Sequence, residues 1–452
     1  MKKYFLYLGL IMFSLLGTEL TDFCLGVWVL KQPNPSITSY SFIWFFEEAP
    51  AVLLAPFIGS LVDRWSKKKM IIYGQVVAGI GTLILMLLYN SGELKPWHIM
   101  IVSGIGSIAS MFVFTAFYVA TTALVPKSKL VNAQGISLGL FGLINVGVPM
   151  AAPALYRLMG MDKVFLIDIV TFSVAILVFF MIQFVVVEKT EEKFNMKNDW
   201  KLVKGFLVER QGLIKLLAFF FIIHFLIGLV QVLFTPLILD FADEYAVSTI
   251  MTIVSLGMIV GALIMGGVKK FKKPIQKIMF ANIFAGILIA CLWTSVNTYG
   301  LAILGMSIII LFTISDVINE AFYLAIAPVK LIGRLGGFEE LLVGAAGPLA
   351  FLLSGVLVDT LKNMVTAFPK TVVNYFPGTS VTLAIIIVFT VSGVLLFLIS
   401  LWFSRTKSIK NLDLMYDIEM DKSSQKNNED KIKKENQNID KEKEVAFANT
   451  LD

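Results

Sequence analysis

The chain has 452 residues, 57% hydrophobic and only 15% charged, which excludes an ordinary water-soluble domain, where about a quarter of residues carry charge. A net charge of +6 would suit a nucleic-acid partner in a soluble protein, but here the positives gather in alternate loops, which is membrane topology and not a nucleic-acid patch. Cys24 and Cys291 both lie in apolar stretches without metal-type spacing, which excludes a disulfide framework.

Lys2 and Lys3 open an apolar run that continues to about Leu30 without a small-residue cleavage site, so it reads as a first transmembrane helix and not a signal peptide. Crossing the hydrocarbon layer takes about 20 helical residues. Twelve segments qualify: 5–30, 38–62, 70–89, 97–125, 132–156, 163–187, 214–239, 246–268, 275–296, 299–327, 334–359 and 381–404. Lys2, Lys3, a basic loop at 64–69, Lys127, Lys129, the break at 188–213, Lys269 to Lys277, Lys330, Arg334 and the tail from Arg405 fall on one side. The other side holds only Lys31, Lys95, Arg157, Lys163, Lys362, Lys370 and an acidic stretch at 240–245. That asymmetry places both termini in the cytoplasm and the chain in the cell membrane, with the lipid bilayer as its solvent.

The polar break at 188–213 falls midway, with six spans on each side, so the chain divides into bundles 1–187 and 214–405. Within the break, Trp200, Val203 and Leu207 recur at helical spacing, predicting an amphipathic helix on the inner membrane surface. Residues 406–452 are charged and poor in apolar side chains, and are expected to be a disordered cytoplasmic tail. An internal repeat links the halves. Ala116-Phe-Tyr-Val-Ala120 in the fourth span matches Ala321-Phe-Tyr-Leu-Ala325 in the tenth, each followed by a proline (Pro126, Pro328) and a Gly-bearing helix start (Gly135, Gly336). Two parallel halves about an axis normal to the membrane are expected.

The loop after the second span carries Gly59, Leu61, Asp63 and Arg64, followed by Lys67, Lys68 and Lys69. Gly59 allows close helix approach, Asp63 and Arg64 can pair with each other or with helix ends, and the lysines face anionic headgroups. This spacing resembles the signature loop between helices two and three of the major facilitator superfamily. The resemblance implies an all-α polytopic membrane protein of twelve transmembrane helices in two six-helix halves. It also implies that Gly59, Asp63, Arg64, Lys67 and Lys68 form a conformational latch. Ser66 and Lys67 depart mildly from the family pattern, and the second-half counterpart Gly266 to Lys273 lacks an acid. The stretches 123–135, 165–172 and 333–337 resemble the macrolide-efflux and siderophore-exporter branch. Gly139, Gly142, Gly147, Pro149 and Pro153 in helix five, with Gly344, Gly347, Pro348 and Gly355 in helix eleven, resemble the family's Gly/Pro-rich antiporter motif, and ordinary helix packing is an equal reading.

Ionisable residues inside the spans are the sharper signal. Glu19 and Asp22 share one face of helix one, and Asp316 and Glu320 share one face of helix ten beside Asn319. Glu47 and Glu48 point about 100° apart, so at most one is expected to face a central cavity squarely, and the other can bond backbone groups freed by Pro50. Asp168 is close to the outer end of helix six, where interfacial capping competes with a coupling role. His224 in helix seven reads as a satisfied core histidine or a proton relay. No lysine or arginine lies mid-span, so these carboxylates must be protonated, hydrated in a cavity, or matched by a transported cation. Helix four has no arginine, so the usual proton relay of the family's drug exporters does not carry over, and coupling through helices one and ten takes its place.

The expectation is a monomeric, proton-coupled exporter of amphipathic organic molecules such as drugs, siderophores or peptide-like metabolites, working by alternating access. It needs no cofactor beyond the proton gradient. A proton symporter importing an organic solute, and a receptor on a transporter scaffold, are the other readings. Enzyme chemistry is not expected: there is no phosphate-binding loop ending in Lys-Ser/Thr, no His-Glu-x-x-His and no Cys/His metal cluster.

Overall fold

A computed structural model describes residues 2–33, 35–125, 130–181, 196–266, 268, 272–328, 332–367 and 375–420. In chain order the first bundle is α1 (Lys2–Leu30), α2 (Ile37–Arg64), α3 (Lys67–Asn90), α4 (Pro96–Leu124), α5 (Leu130–Met159) and α6 (Met161–Met181). A connecting helix, α7 (Met196–Val208), leads to α8 (Gln211–Phe241), α9 (Glu244–Gly266), α10 (Pro274–Ala290) and α11 (Thr298–Ile326). The last spans are α12 (Ile332–Gly344), α13 (Ala346–Val365) and α14 (Ser380–Arg405), and residues 407–420 form a further helix, α15. Among the described residues, ten helical stretches are long and apolar enough to cross a membrane. The 28-residue α2 and the shorter 17-residue α10 complete the twelve expected spans.

The eleventh span is two helices. Pro348 has no N–H to give to the carbonyl of Gly344, four residues earlier, and its ring crowds that turn, so the helix breaks between Gly344 and Ala346. In α5, by contrast, Pro149 and Pro153 are carried inside one continuous helix.

Two corrections concern polar segments. The expected disordered tail is ordered at its start: α15 buries Ile409, Leu412 and Tyr416 against the second bundle. Lys215 Nζ donates to Ser408 Oγ at 3.0 Å, Phe322 stacks on Tyr416 with centroids 6.0 Å apart, and Asp413 Oδ1 accepts the Ile275 N–H at 2.8 Å. The acid thus caps the first turn of α10. Residues 421–452 lie outside the described residues. The amphipathic helix expected in the linker is present as α7, but it buries Val203, Phe206 and Leu207 in protein, and Trp200 meets Phe338 at 4.4 Å. Val203, Phe206 and Leu207 thus pack on protein, while Trp200, Leu202 and Val208 stay exposed.

Each bundle is cemented by a buried polar pair: Ser14 Oγ donates to Gln75 Oε1 at 2.6 Å in the first, and Asn282 Nδ2 to Ser315 Oγ at 2.8 Å in the second. The bundles touch along α2 with α13 and along α5 with α9. Gly355 makes the first contact possible, because a Cβ there would lie 2.7 Å from the Thr38 nitrogen. Asp359 then accepts from Thr38 Oγ1 at 2.6 Å, Thr38 N at 3.1 Å and Ser36 Oγ at 3.4 Å. Across α5 and α9, Ser248 Oγ donates to Met150 O at 3.1 Å and Ser255 Oγ to Asn145 O at 3.2 Å. Lys31 pairs with Glu244, and the Arg157 guanidinium lies 5.1 Å over the Tyr245 ring. These contacts all lie between mid-depth and the face remote from the two termini. They describe a molecule whose halves are closed on that face.

Candidate functional site

Beneath the closed face is a cavity of about 580 Å³, lined almost wholly by the first bundle. Glu19 and Asp22 enter it from α1, Glu47 and Glu48 from α2, Asp168 from α6, and Glu340 from α12. Both Glu47 and Glu48 line it. The cavity is wide enough to wrap the side of α2, so directions about 100° apart both reach it.

The expectation for Asp168 is corrected. It sits in the third turn of α6, 1% exposed, and caps nothing. Its carboxylate accepts from Thr82 Oγ1 at 2.8 Å and Thr18 Oγ1 at 3.4 Å. Hydroxyls of Thr18, Thr82, Ser103, Ser107 and Ser110 share the lining, and among the described residues no lysine, arginine or histidine does. Apolar walls come from Val52, Met111, Phe114 and Phe172. The result is an amphipathic chamber with one sign of charge.

Asp316 and Glu320 do not join this chamber. Glu320 lines a separate cavity of about 300 Å³ in the second bundle, with Asn319, Tyr323 and Glu339. Asn319 Nδ2 donates to Glu339 Oε1 at 3.0 Å, while Asn319 Oδ1 and the Tyr323 hydroxyl have no hydrogen-bond partner. Asp316 is accessible. His224 Nδ1 is bonded to Phe220 O at 2.9 Å on its own helix. Helices one and ten therefore carry acids belonging to two different cavities.

Sequence reasoning missed Glu339 and Glu340. Two adjacent acids inside the predicted span 334–359 are the same signal that singled out Glu47 and Glu48, and they stand directly after the glycines of 333–337.

In the loop between α2 and α3, the side chains of Asp63 and Arg64 and the surroundings of Gly59 lie outside the described residues. The lysines differ from expectation. Lys67 is 5% exposed, and Lys68 Nζ donates to Phe180 O at 2.9 Å, at the end of α6. Lys68 thus serves a helix end, since the last carbonyls of a helix lack intrahelical donors. The Gly/Pro-rich stretches are unlike one another. Gly139, Gly142 and Gly147 face open space, with Pro149 beyond them, so close crossing does not explain them. Gly347, beside Pro348, lies under Glu48: a Cβ there would come within 3.1 Å of Oε2. Among the described residues no three His, Cys, Asp or Glu side chains converge as a metal site.

Two proteins named Macrolide efflux protein A are similar in sequence. That of Streptococcus pyogenes is 25% identical over 329 residues, covering 69% of this chain and 78% of that protein. That of Enterococcus faecalis is 26% identical over 242 residues, covering 53% and 75%. In structure, the nucleoside transporter NupG superposes with a TM-score of 0.66 at 16% identity, covering 88% of this chain and 98% of that one. A bacterial homologue of the lysosomal transporter Spinster, in an inward-facing and unoccupied conformation, gives 0.63 at 12%, covering 93% and 99%. The family model of the Major Facilitator Superfamily matches residues 7–338, well over half of the chain. With that match and the twelve spans, the chain is a multi-pass, non-enzymatic membrane transporter belonging to the Major Facilitator Superfamily.

Proposed function

We propose that the chain is a proton-coupled exporter that exchanges protons for amphipathic organic molecules by alternating access. The observation that carries this is the chamber itself: among the described residues, six carboxylates and no basic side chain line it between apolar walls. Carboxylates removed from bulk water need a proton or a cation to neutralise them. Protons and cargo that compete for the same acids exchange one for the other. Outward direction is supported by the relatives named for macrolide efflux. Rocking of the two bundles would open the Asp359 and Glu244 contacts on the remote face, with the termini cytoplasmic. Glu19, Asp22, Glu47, Glu48, Asp168 and Glu340 are the coupling and substrate groups, and Asp316 and Glu320 are a second set. Gly59, Asp63, Arg64, Lys67 and Lys68 are the latch, with Lys68 reaching α6.

The test is flux in proteoliposomes under an imposed pH gradient, with Glu19→Gln, Asp22→Asn, Asp168→Asn and Glu340→Gln made singly. Each is expected to abolish pH-driven export. Undiminished flux in all four would overturn the coupling assignment, and proton-driven uptake in the opposite direction would replace the exporter with a symporter.

A further inference from the structure

We propose that the cavity between α11 and α12 is a binding site for a monovalent alkali cation, separate from the chamber of the first bundle. The site goes beyond the proton coupling proposed above. It measures about 300 Å³ and is lined by Asn319, Glu320 and Tyr323 along one turn of α11 and by Gly336 and Glu339 on α12. Asn319 Nδ2 donates across it to Glu339 Oε1 at 3.0 Å, which leaves Oδ1 as an acceptor in want of a donor or a cation. Asn319 is 7% exposed and Tyr323 6%, and neither Asn319 Oδ1 nor the Tyr323 hydroxyl has a hydrogen-bond partner among the described residues. Buried polar atoms are paired in nearly all proteins, so two orphans on one cavity wall mark a place that a ligand completes.

The lining dictates the chemistry of that ligand. Every polar side-chain atom it offers is an oxygen, apart from the amide nitrogen already given to Glu339, and an all-oxygen set suits a hard cation. Two acids share the cavity, and among the described residues no third His, Cys, Asp or Glu joins them, so the ligand count fits an ion of single charge and not a caged divalent one. Water would serve Asn319 and Tyr323 but bring no charge against Glu320 and Glu339, and no described lysine, arginine or histidine lines the cavity to supply it. A proton would neutralise one acid and serve one acceptor. An alkali ion meets the carboxylates, the amide oxygen and the phenol at once. The site also has a line to the chamber. α12 is severed from α13 at Gly344, and its adjacent acids divide: Glu339 lines this cavity and Glu340 lines the chamber. An ion on Glu339 therefore pins the short helix that presents Glu340.

The probe is sodium chloride, with choline chloride as the inert control, on the purified full-length protein in nanodiscs. Saturable binding of radioactive sodium is expected, with slower amide exchange over 332–344 in sodium than in choline. Glu339→Gln and Asn319→Leu should each weaken binding roughly tenfold, and Tyr323→Phe, which loses only the hydroxyl, about threefold. Should Glu339→Gln not fold, Tyr323→Phe decides. Asp22→Asn, in the chamber, should leave sodium affinity unchanged. Equal competition by potassium would keep the site and widen it to both alkali ions, whereas competition by magnesium or calcium alone would overturn the inference. Absence of saturable binding, or affinity unchanged in both Glu339→Gln and Tyr323→Phe, would overturn it as well. So would a loss in Asp22→Asn as large as in Glu339→Gln, which would move the ion to the first bundle. Arg334, whose side chain lies outside the described residues, is the rival counter-charge, and sodium binding gained only in Arg334→Gln would also overturn the inference. Proton-driven export without sodium binding would sink this inference and spare the transporter reading. Sodium binding without any flux would do the reverse.

Discussion

Replacing Asp359 with alanine removes the acid that ties α13 to the start of α2 on the face remote from the termini. Its Oδ2 accepts from Thr38 Oγ1 at 2.6 Å, Thr38 N at 3.1 Å and Ser36 Oγ at 3.4 Å. Ser36 is the N-cap of α2, so the carboxylate also meets the unpaired N–H groups and positive dipole end of that helix. A hydrogen bond to a charged group contributes about 1.5–3 kcal/mol, and three that share one oxygen do not sum, so about 2–3 kcal/mol is the working figure for the contact. The bonds span the two bundles and break if the remote face opens. Their loss is therefore charged to the closed state alone, and at 1.4 kcal/mol per decade it shifts the closed-to-open ratio by about 30- to 150-fold. Spin labels at Ser91 and Thr294, both exposed at the remote ends of opposite bundles, read that ratio as a distance distribution once Cys24 and Cys291 are replaced. Asp359→Ala is expected to add a longer-distance population, and Thr38→Val a smaller one. Combined, they should fall short of additivity, because they remove the same bonds. Identical distributions in wild type and Asp359→Ala would refute the reasoning.

Four further outcomes are expected. Gly355→Leu should pry open the same contact, because even a Cβ would lie 2.7 Å from the Thr38 nitrogen; overpacking of this kind costs about 1–3 kcal/mol, read with the same spin labels and by thermal unfolding. Burial holds the Asp413 carboxyl above its ordinary 3.8, against the Ile275 and Gln276 N–H groups that lower it, so α15 binds a proton more tightly docked than free. Its docking should therefore be strongest below 3.8 and weaken as pH rises through the raised value; amide exchange over 407–420 reads this, and Asp413→Asn should flatten it. Trp200→Ala removes the ring contact with Phe338 and should loosen α7 by about 0.5–1.5 kcal/mol, seen as faster amide exchange over 196–208. Asp63→Asn should slow transport while leaving substrate binding to the purified protein intact; loss of binding would contradict a purely conformational role.

Hydropathy located the spans to within a few residues, because a bilayer demands a length of apolar helix wherever that helix ends up. It did not show the break at Gly344, although Pro348 was in plain view. A proline inside a span can either be carried, as Pro149 is, or end a helix, and the neighbours decide which. The tail reads as unstructured from its average composition, yet Ile409, Leu412 and Tyr416 recur at helical spacing within its first turns and find a groove. Average composition hides a short amphipathic segment next to a long polar one.

The chain's order of residues by itself determined the membrane class, the two-bundle plan and which helices carry acids, since each follows from local polarity, loop charge and internal repetition. Tertiary structure alone decided which acids meet. Helical phase placed Asp316 and Glu320 on one face as surely as Glu19 and Asp22, but phase says nothing of what that face looks across at. Packing sent Glu320 to the second bundle's own cavity, and Glu19 and Asp22 into a chamber shared with Glu48 and Asp168. Only the docking of α12 against the first bundle brought Glu340 to them, some 300 residues along the chain from Asp22.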